Sequence, residues 1–366
     1  MDIPLGGKPA WLVAAPGDSG SIWVAVLEDG RVEAYLVTGE EYERVMITPD
    51  HLPPGMPPLL MVAGDYPRLI VGPSDSASFT HPVMLAGQPE TMAYIAKNGD
   101  LVIRANEEIA RLPVNGLPDA RLLIDERDRL LLLTDPTTRY DHGVLGDAVE
   151  AGSITLIETL PELKVLQKII IEPPAVIEGI APIWTDINGD SRREIIVTRS
   201  DINQGAQIVV FLEDGTELAA GPTIGRGYRW RNLLAVAPTT PEGELELIDV
   251  LTPHIGGVVE FFQLFNGGLE ITSQLAGFTS HVLGTRNLDM GLAGDFDGDG
   301  AVEVLLPTQE RTQLAAVRHT AGGALLVWFL PANGMISTNL AAVTHSDGSI
   351  SLGIGTEEAK LRIWGP

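Results

Sequence analysis

The chain has no cysteine among its 366 residues, which excludes a disulfide framework, a thiolate metal centre and a cysteine nucleophile, and leaves the redox compartment open. No stretch approaches the roughly 18 consecutive apolar residues that cross a bilayer as a helix, and Met1 to Gly7 show no charged segment followed by an apolar one. Lysine is scarce: five of 24 cationic side chains, against 19 arginines and 49 acids, for a formal charge of −25. That balance argues against nucleic acid, whose phosphates are met by clustered cations, and against membrane insertion. The cation that dominates, arginine, is the one that forks onto carboxylates and phosphates.

What is present favours strands. Apolar residues make up 45% of the chain, enough for a full core, and 40 glycines and 26 prolines interrupt it too often for long helices. Asp29-Gly30, Asn98-Gly99, Asp214-Gly215, Asn266-Gly267 and Asn333-Gly334 separate apolar or alternating runs, and such dipeptides tolerate the positive φ of two-residue hairpins. The fold class read from this is all-β, with repeated antiparallel hairpins.

Repeats of about 45 to 60 residues point to propeller blades. In the clearest unit, strands near 180–185, 194–199 and 207–212 precede one that begins at Glu217; the same order returns at 292–294, 302–307, 314–319 and 324–330. Weaker copies start near Leu59, Arg121 and Leu233. The expected architecture is a seven-bladed β-propeller with blades at 9–50, 58–113, 119–172, 178–225, 231–277, 288–332 and 338–366, although six or eight blades fit the same rhythm. The last unit has no room for four strands, so an N-terminal strand is expected to complete it and remove the open edge. A closed ring of this kind is expected to be a monomer.

The sharpest motif is Asp295-Phe-Asp297-Gly-Asp299-Gly-Ala301-Val-Glu303, with a second copy at Asp186-Ile-Asn188-Gly-Asp190-Ser-Arg192-Arg-Glu194, each between two apolar runs. This pattern resembles the FG-GAP/VCBS repeat family, calcium-binding β-propellers akin to the integrin α head, and the motif-level resemblance covers about a third of the chain. It implies an extracellular, periplasmic or cell-surface protein whose acidic loops join the first two strands of a blade. The loops between the second and third strands, and those between successive blades, then converge on the opposite face.

Calcium takes six to eight oxygen ligands, and alternate carboxylates converge only where the chain curls tightly, as Gly298 and Gly300 permit. The expected ligands of one or two structural Ca²⁺ ions are Asp295, Asp297, Asp299, the Ala301 carbonyl and Glu303, then Asp186, Asn188, Asp190, the Arg192 carbonyl and Glu194. The competing reading is two metal-free polar turns held by Asp-to-backbone hydrogen bonds. At the matching point of the third unit, Asp125-Glu-Arg127-Asp128-Arg129 is expected to hold a salt bridge from Arg127 in place of an ion.

If the strand frame holds, the face opposite the acidic loops collects Arg139, Tyr140, His142, Arg199, Arg229, His254, His281, Arg286 and Arg311, with Asp141, Arg226, Tyr228 and Trp230 among them. Individually such residues pair with acids or cap strand ends. As a set they suit an acidic glycan or a peptide carboxylate, through guanidinium forks and aromatic stacking. The leading expectation is a non-enzymatic, calcium-stabilised propeller binding an acidic glycan or a protein partner. The alternatives are a polysaccharide lyase using His142 or His254 with Tyr140 and an arginine in a central funnel, and a structural module of a surface assembly.

Overall fold

A computed structural model describes residues 1–87 and 90–365; Gln88, Pro89 and Pro366, which fall in the second and seventh sequence units, lie outside the described residues. The chain folds into a β-propeller, with no helix among the described residues. After β1 (Asp2–Pro4), the first four-stranded meander is β2 (Pro9–Pro16), β3 (Ser21–Leu27), β4 (Val32–Thr38) and β5 (Glu41–Val45). A separate hairpin, β6 (Leu60–Ala63) and β7 (Tyr66–Leu69), follows. The second unit is β8 (Val83–Met84), β9 (Met92–Ile95), β10 (Asp100–Arg104) and β11 (Glu108–Pro113). The third is β12 (Leu123–Ile124), β13 (Leu130–Thr137), β14 (Glu150–Glu158) and β15 (Lys164–Ile170).

The short β16 (Val176–Ile177) bridges β14 to the fourth unit, which is β17 (Ile183–Thr185), β18 (Glu194–Asp201), β19 (Gly205–Leu212) and β20 (Glu217–Ala220). The fifth holds β21 (Arg231–Ala237), β22 (Glu246–Leu251), β23 (Val258–Phe265) and β24 (Gly268–Ala276), and the sixth β25 (Leu292–Gly294), β26 (Glu303–Pro307), β27 (Gln313–Thr320) and β28 (Gly323–Pro331). The last is β29 (Ala341–Thr344), β30 (Ile350–Thr356) and β31 (Lys360–Trp364), with β1 as its fourth strand through Asp2↔Arg362 to Pro4↔Lys360.

The core lies in the seams between these units. Leu130 and Leu132 pack with Ile95 and Leu101 of the second unit, whereas Leu131 and Leu133 pack with Ile195 and Val197 of the fourth. Neighbouring residues of one strand thus feed opposite seams, which is why Leu130-Leu-Leu-Leu133 is continuously apolar instead of alternating. Ile196 with Phe262, Val250 with Val304, and Leu305 with Ile354 fill the following seams. Trp23, fully buried, joins Val343 and Leu361 where the ring closes. A Cβ at Gly353 would lie 2.2 Å from Cζ3 of that indole, so the seventh unit reaches the first only with glycine there. Between the first and second units, Leu60 and Val62 of the inserted hairpin pack on the Val24–Val26 side of the first.

Four of the five turn dipeptides differ from the two-residue form expected. At Asp29-Gly30, Leu27 N donates to the Arg31 carbonyl at 2.8 Å and Gly30 N to the Leu27 carbonyl at 2.9 Å, with Gly30 at φ 89°. This is the three-residue hairpin with a left-handed glycine, and the same bonds recur around Gly99 and Gly215. Only Asn266-Gly267 places both residues at positive φ, 47° and 81°, as a two-residue turn between β23 and β24 requires. Asn333-Gly334 is no hairpin; it lies in the connection from β28 to β29.

Candidate functional site

Up-and-down order sends the first-to-second and third-to-fourth strand loops to one face, here called lower, and the remaining connections to the upper face. The two acidic loops are on the lower face and share one backbone pattern. Asp295 accepts Gly298 N at 2.8 Å on Oδ1 and Gly300 N at 2.9 Å on Oδ2; Asp186 accepts Gly189 N at 2.6 Å and Ser191 N at 2.8 Å likewise. Asp299 accepts Ala301 N at 2.9 Å and Asp190 accepts Arg192 N at 2.8 Å, while buried Glu303 and Glu194 take the amides of Phe296 and Ile187. Ser191 holds φ 66° where the other loop has Gly300 at 89°, so the second copy reaches the same curl with a less permissive residue.

What fills the middle of each loop differs. Carboxylate oxygens of Asp295, Asp297 and Glu303 lie within 4.8 Å of one another, and the guanidinium of Arg318 enters this cluster, bonding Asp299 at 2.7 Å, Asp297 at 3.4 Å and Glu303. Arg318 Nε is nevertheless buried without a partner. Arg318 is thus the cation that these carboxylates share, with its own Nε left unsatisfied; an all-oxygen cluster of this kind is also the type of ligand set that calcium takes. Burial pushes the Glu303 carboxyl up, partly offset by Arg318, while the Ala301 amide and Arg318 hold Asp299 down. In the second loop Asn188 Nδ2 donates to Glu194 at 3.1 Å, a neutral partner in place of a charged one, and burial again raises the Glu194 carboxyl.

At the third unit the salt bridge comes chiefly from Arg129, not Arg127. Arg129 Nε donates to Asp125 at 2.7 Å and its two terminal nitrogens fork onto Glu213, while Arg127 Nε stays 3.7 Å from Asp125. The backbone places Arg129 immediately before β13, with its guanidinium over Trp184, 5.2 Å from the ring centroid.

The upper-face residues divide into three groups. Arg139 caps strand ends, donating to the carbonyls of Ala175 at 2.8 Å and Ile171 at 2.9 Å. Arg199 lines a cleft of about 420 Å³ with Ile171 and Ala175, and bonds Glu217 at 2.9 Å and Gln207 at 2.8 Å. Arg286 and Arg311 line a different cavity of about 270 Å³ with Lys8. Arg286 bonds Asp119 at 2.7 Å and also Asp147; Arg311 bonds the Ile336 carbonyl at 2.7 Å and approaches Glu357 at 3.4 Å.

The third group forms one cluster. Tyr140, His142 and Tyr228 lie with ring centroids 5.1 to 5.9 Å apart, His142 stacked on Tyr228 at 24° between planes. His142 Nδ1 contacts Glu178 Oε1, whose other oxygen accepts Ser200 Oγ, and Tyr228 donates to Asp141. Tyr140 is buried with its hydroxyl unpartnered. Next to it Trp230 donates to the Glu178 carbonyl at 3.2 Å and stacks on His254, which meets His281 at 2.8 Å.

The loop from Thr138 to Val149 makes this assembly, because it crosses the face instead of standing away from it. Val144 and Leu145 are buried with Ile180 and Trp230, and the Val144 carbonyl accepts Gly284 N at 2.9 Å. Arg121 to Asp289 at 2.7 Å and Arg286 to Asp119 add ties between connections on opposite sides of the ring. The central mouth expected for a funnel is thus covered by this clasp, and the exposed chemistry sits beside it. Tyr228 is 47% exposed, Arg226 and Arg229 are exposed, and among the described residues neither arginine has a carboxylate within 4.0 Å.

Sequence reasoning missed Glu178, Glu150 and Arg318. Each carried one legible signal: a charged residue inside an apolar run, as in Val176-Ile-Glu178-Gly-Ile180 and Ala315-Ala-Val-Arg318, which needs a partner once buried.

No protein-family model matches the chain, and no curated protein matches it. Among solved structures it is similar to the WD40 β-propeller domain of Doa1, with a TM-score of 0.46 and 9% identity over 99% of this chain and 95% of that one.

Proposed function

We propose that this chain is a calcium-stabilised propeller of the FG-GAP/VCBS kind, working outside the cytoplasm, that binds an acidic glycan on its upper face without transforming it. The observation that carries the reading is the connection Arg226-Gly-Tyr228-Arg229, where an exposed ring stacked on His142 lies between two arginines free of carboxylate partners among the described residues. A sugar ring packs on the tyrosine and a uronate carboxylate takes a planar guanidinium fork. With a charge of −25, the molecule repels acidic polymers at a distance, so affinity rests on these contacts. Titration calorimetry against polygalacturonate, alginate and heparin at physiological salt tests this. Tyr228→Ala and Arg229→Ala are each expected to weaken binding by about tenfold, or 1.4 kcal/mol; no binding of any acidic polymer by the native chain overturns it.

Calcium would be held by Asp295, Asp297, Asp299, Glu303 and the Ala301 carbonyl, with a weaker position at Asp186, Asn188, Asp190, Glu194 and the Arg192 carbonyl. Its role there is to neutralise converging carboxylates and fix the loop. Chelation should lower the melting temperature while leaving glycan binding intact in the cold. Identical melting curves in EDTA and in calcium would remove the metal from this reading.

One observation favours a second reading, elimination from a uronate. Glu178 on Nδ1 fixes His142 so that Nε2 is its outward nitrogen, and the Tyr140 hydroxyl is unpartnered nearby, a base and an acid in one cluster. Formation of unsaturated, ultraviolet-absorbing product from polyuronates, lost in His142→Ala, would establish it.

A further inference from the structure

A cavity of about 930 Å³ opens on the lower face where the seventh unit meets the first. Its rim is built from the β2–β3 and β4–β5 turns of the first unit and the β29–β30 turn of the seventh. In the fourth and sixth units the position of that last turn holds the acidic loops. Here the wall is hydroxylic, with six such side chains, Ser19, Ser21, Thr38 and Ser349 among them. Apart from His345, its charged side chains among the described residues are Glu40 and Asp347, both acids.

Two of the lining side chains are bonded to each other. Val343 pairs with Ser351, and strand alternation puts His345 on the same sheet face as Val343, so the imidazole lies diagonally across from Ser351 on the side packed against Trp23. Ser351 Oγ is 2.7 Å from His345 Nε2, and Ser351 is buried. The histidine backbone is fixed by a three-residue turn of the kind at Gly30: His345 N donates to the Ser349 carbonyl at 2.8 Å and Gly348 N to the His345 carbonyl at 3.0 Å, with Gly348 at φ 87°. Asp347 has its carboxyl held down by the Ser349 hydroxyl and amide and, more weakly, by His345, so an anion stands beside the ring.

We propose that this cavity is an esterase site in which Ser351 is the nucleophile and His345 its base, and that its substrate is a neutral ester of a sugar or similar polyol. With the imidazole proton on Nδ1, Nε2 accepts the Ser351 hydroxyl. Oγ attacks the acyl carbon as its proton passes to Nε2; the ester C–O bond then breaks, the departing alcohol takes that proton, and an acyl-serine remains. Water, giving a proton to the same nitrogen, splits the acyl-serine into free acid and serine, so water is the only co-reactant. Ser21 Oγ accepts Trp23 Nε1 at 2.8 Å, which leaves its own hydroxyl proton to meet the charge that develops on the acyl oxygen. The hydroxyl-lined wall suits a hydroxylated alcohol, and its two acids repel carboxylate substrates. The activity is therefore separate from glycan binding on the upper face, and neither reading depends on the other.

Hydrolysis of p-nitrophenyl acetate and of glucose pentaacetate by the full chain tests the proposal, alongside labelling with a fluorophosphonate, which loses fluoride as it bonds to an activated serine. The native chain is expected to hydrolyse both esters and to carry the label on Ser351, located by peptide mass, whereas the chain unfolded in urea should carry none. Ser351→Ala and His345→Gln, shown by melting curves to be folded, should each lower kcat/KM by about 100-fold or more. The label on the native chain decides the matter should either variant fail to fold. A native chain that neither hydrolyses these esters nor takes the label overturns the proposal, as does a label on another residue or hydrolysis that persists in folded Ser351→Ala.

Discussion

Nδ1 of His142 lies 2.5 Å from Oε1 of Glu178, a fully buried carboxylate that also accepts the Ser200 hydroxyl. Its neighbour Glu150 has much less help, a single amide from Gly179 at 3.3 Å. Burial, and then the charge of Glu178, push the Glu150 carboxyl up to about 9. The folded-state value is raised above the unfolded one, so the contribution to stability is complete below about pH 4.5 and disappears as pH rises through 9. Glu150→Gln removes the ionisable group and keeps the shape. It should stabilise the protein at pH 9 by roughly 1–3 kcal/mol and leave it nearly unchanged at pH 5, as thermal melts at the two pH values would register.

The histidine pair titrates with the opposite sign. His281 Nε2 faces the Thr285 carbonyl at 2.8 Å, and a carbonyl only accepts, so Nε2 carries the proton and Nδ1 is a lone pair. His254 Nε2 must then donate to it. A proton added to His281 would point at that N–H, and burial already holds both rings down at about 4. Their contribution is present above about pH 6.5 and is lost as pH falls through 4. His281→Gln should reduce the loss of stability between pH 7 and 4 by roughly 1–3 kcal/mol, read from urea melts. Trp230 fluorescence should follow the same transition, because the indole stacks on His254.

In the fifth unit Arg231, Asp249 and Glu260 form a buried triad, with Arg231 to Asp249 at 2.9 Å and Arg231 Nε and Asp249 Oδ1 unpartnered. One cation thus holds two acids out of water, and burial keeps the Asp249 carboxyl above its usual range. Arg231→Met strands both carboxylates and should cost about 3–5 kcal/mol. Replacing all three by apolar residues of similar volume should cost much less, and equilibrium unfolding of the two variants distinguishes a paired charge from a packing role.

The fold was legible where the signal was local. Leu292–Gly294 appears as β25 at the bounds read from the sequence, and 194–199, 207–212 and 314–319 lie inside β18, β19 and β27, because apolar runs bounded by turn residues mark strands wherever both faces are buried. Turn type was not legible: Asp29-Gly30 and Asn266-Gly267 look alike in sequence, yet one closes a three-residue loop and the other a two-residue loop. The 58–80 stretch forms a hairpin apart from the four strands of 83–113, a division that no composition shift announced. On the upper face, Tyr140, His142, His254 and His281 gather as the strand frame suggested, while Arg139, Arg199, Arg286 and Arg311 turn to carbonyls or acids. That choice depends on partners such as Asp119, 167 positions away from Arg286, which spacing along the chain does not reveal.

Arg318 gives the most direct discrimination between an arginine-held loop and a calcium-held one. Its guanidinium bonds Asp297, Asp299 and buried Glu303, the same carboxylates proposed to take the ion, so the two cations compete. Without calcium, Arg318→Gln leaves Glu303 with the Phe296 amide alone among converging negative charges, and should destabilise the sixth unit by roughly 2–4 kcal/mol. With calcium the ion replaces the lost charge, and removal of its competitor should tighten binding. The melting-temperature difference between calcium and EDTA is therefore expected to widen in Arg318→Gln relative to the native chain. An Asp295→Ala, Arg318→Gln double variant should lose that widening, since Asp295 is a proposed ligand of the ion and not a partner of the arginine. Equal calcium responses in the native chain and Arg318→Gln would mean that the arginine, and no metal, is the resident cation of the loop.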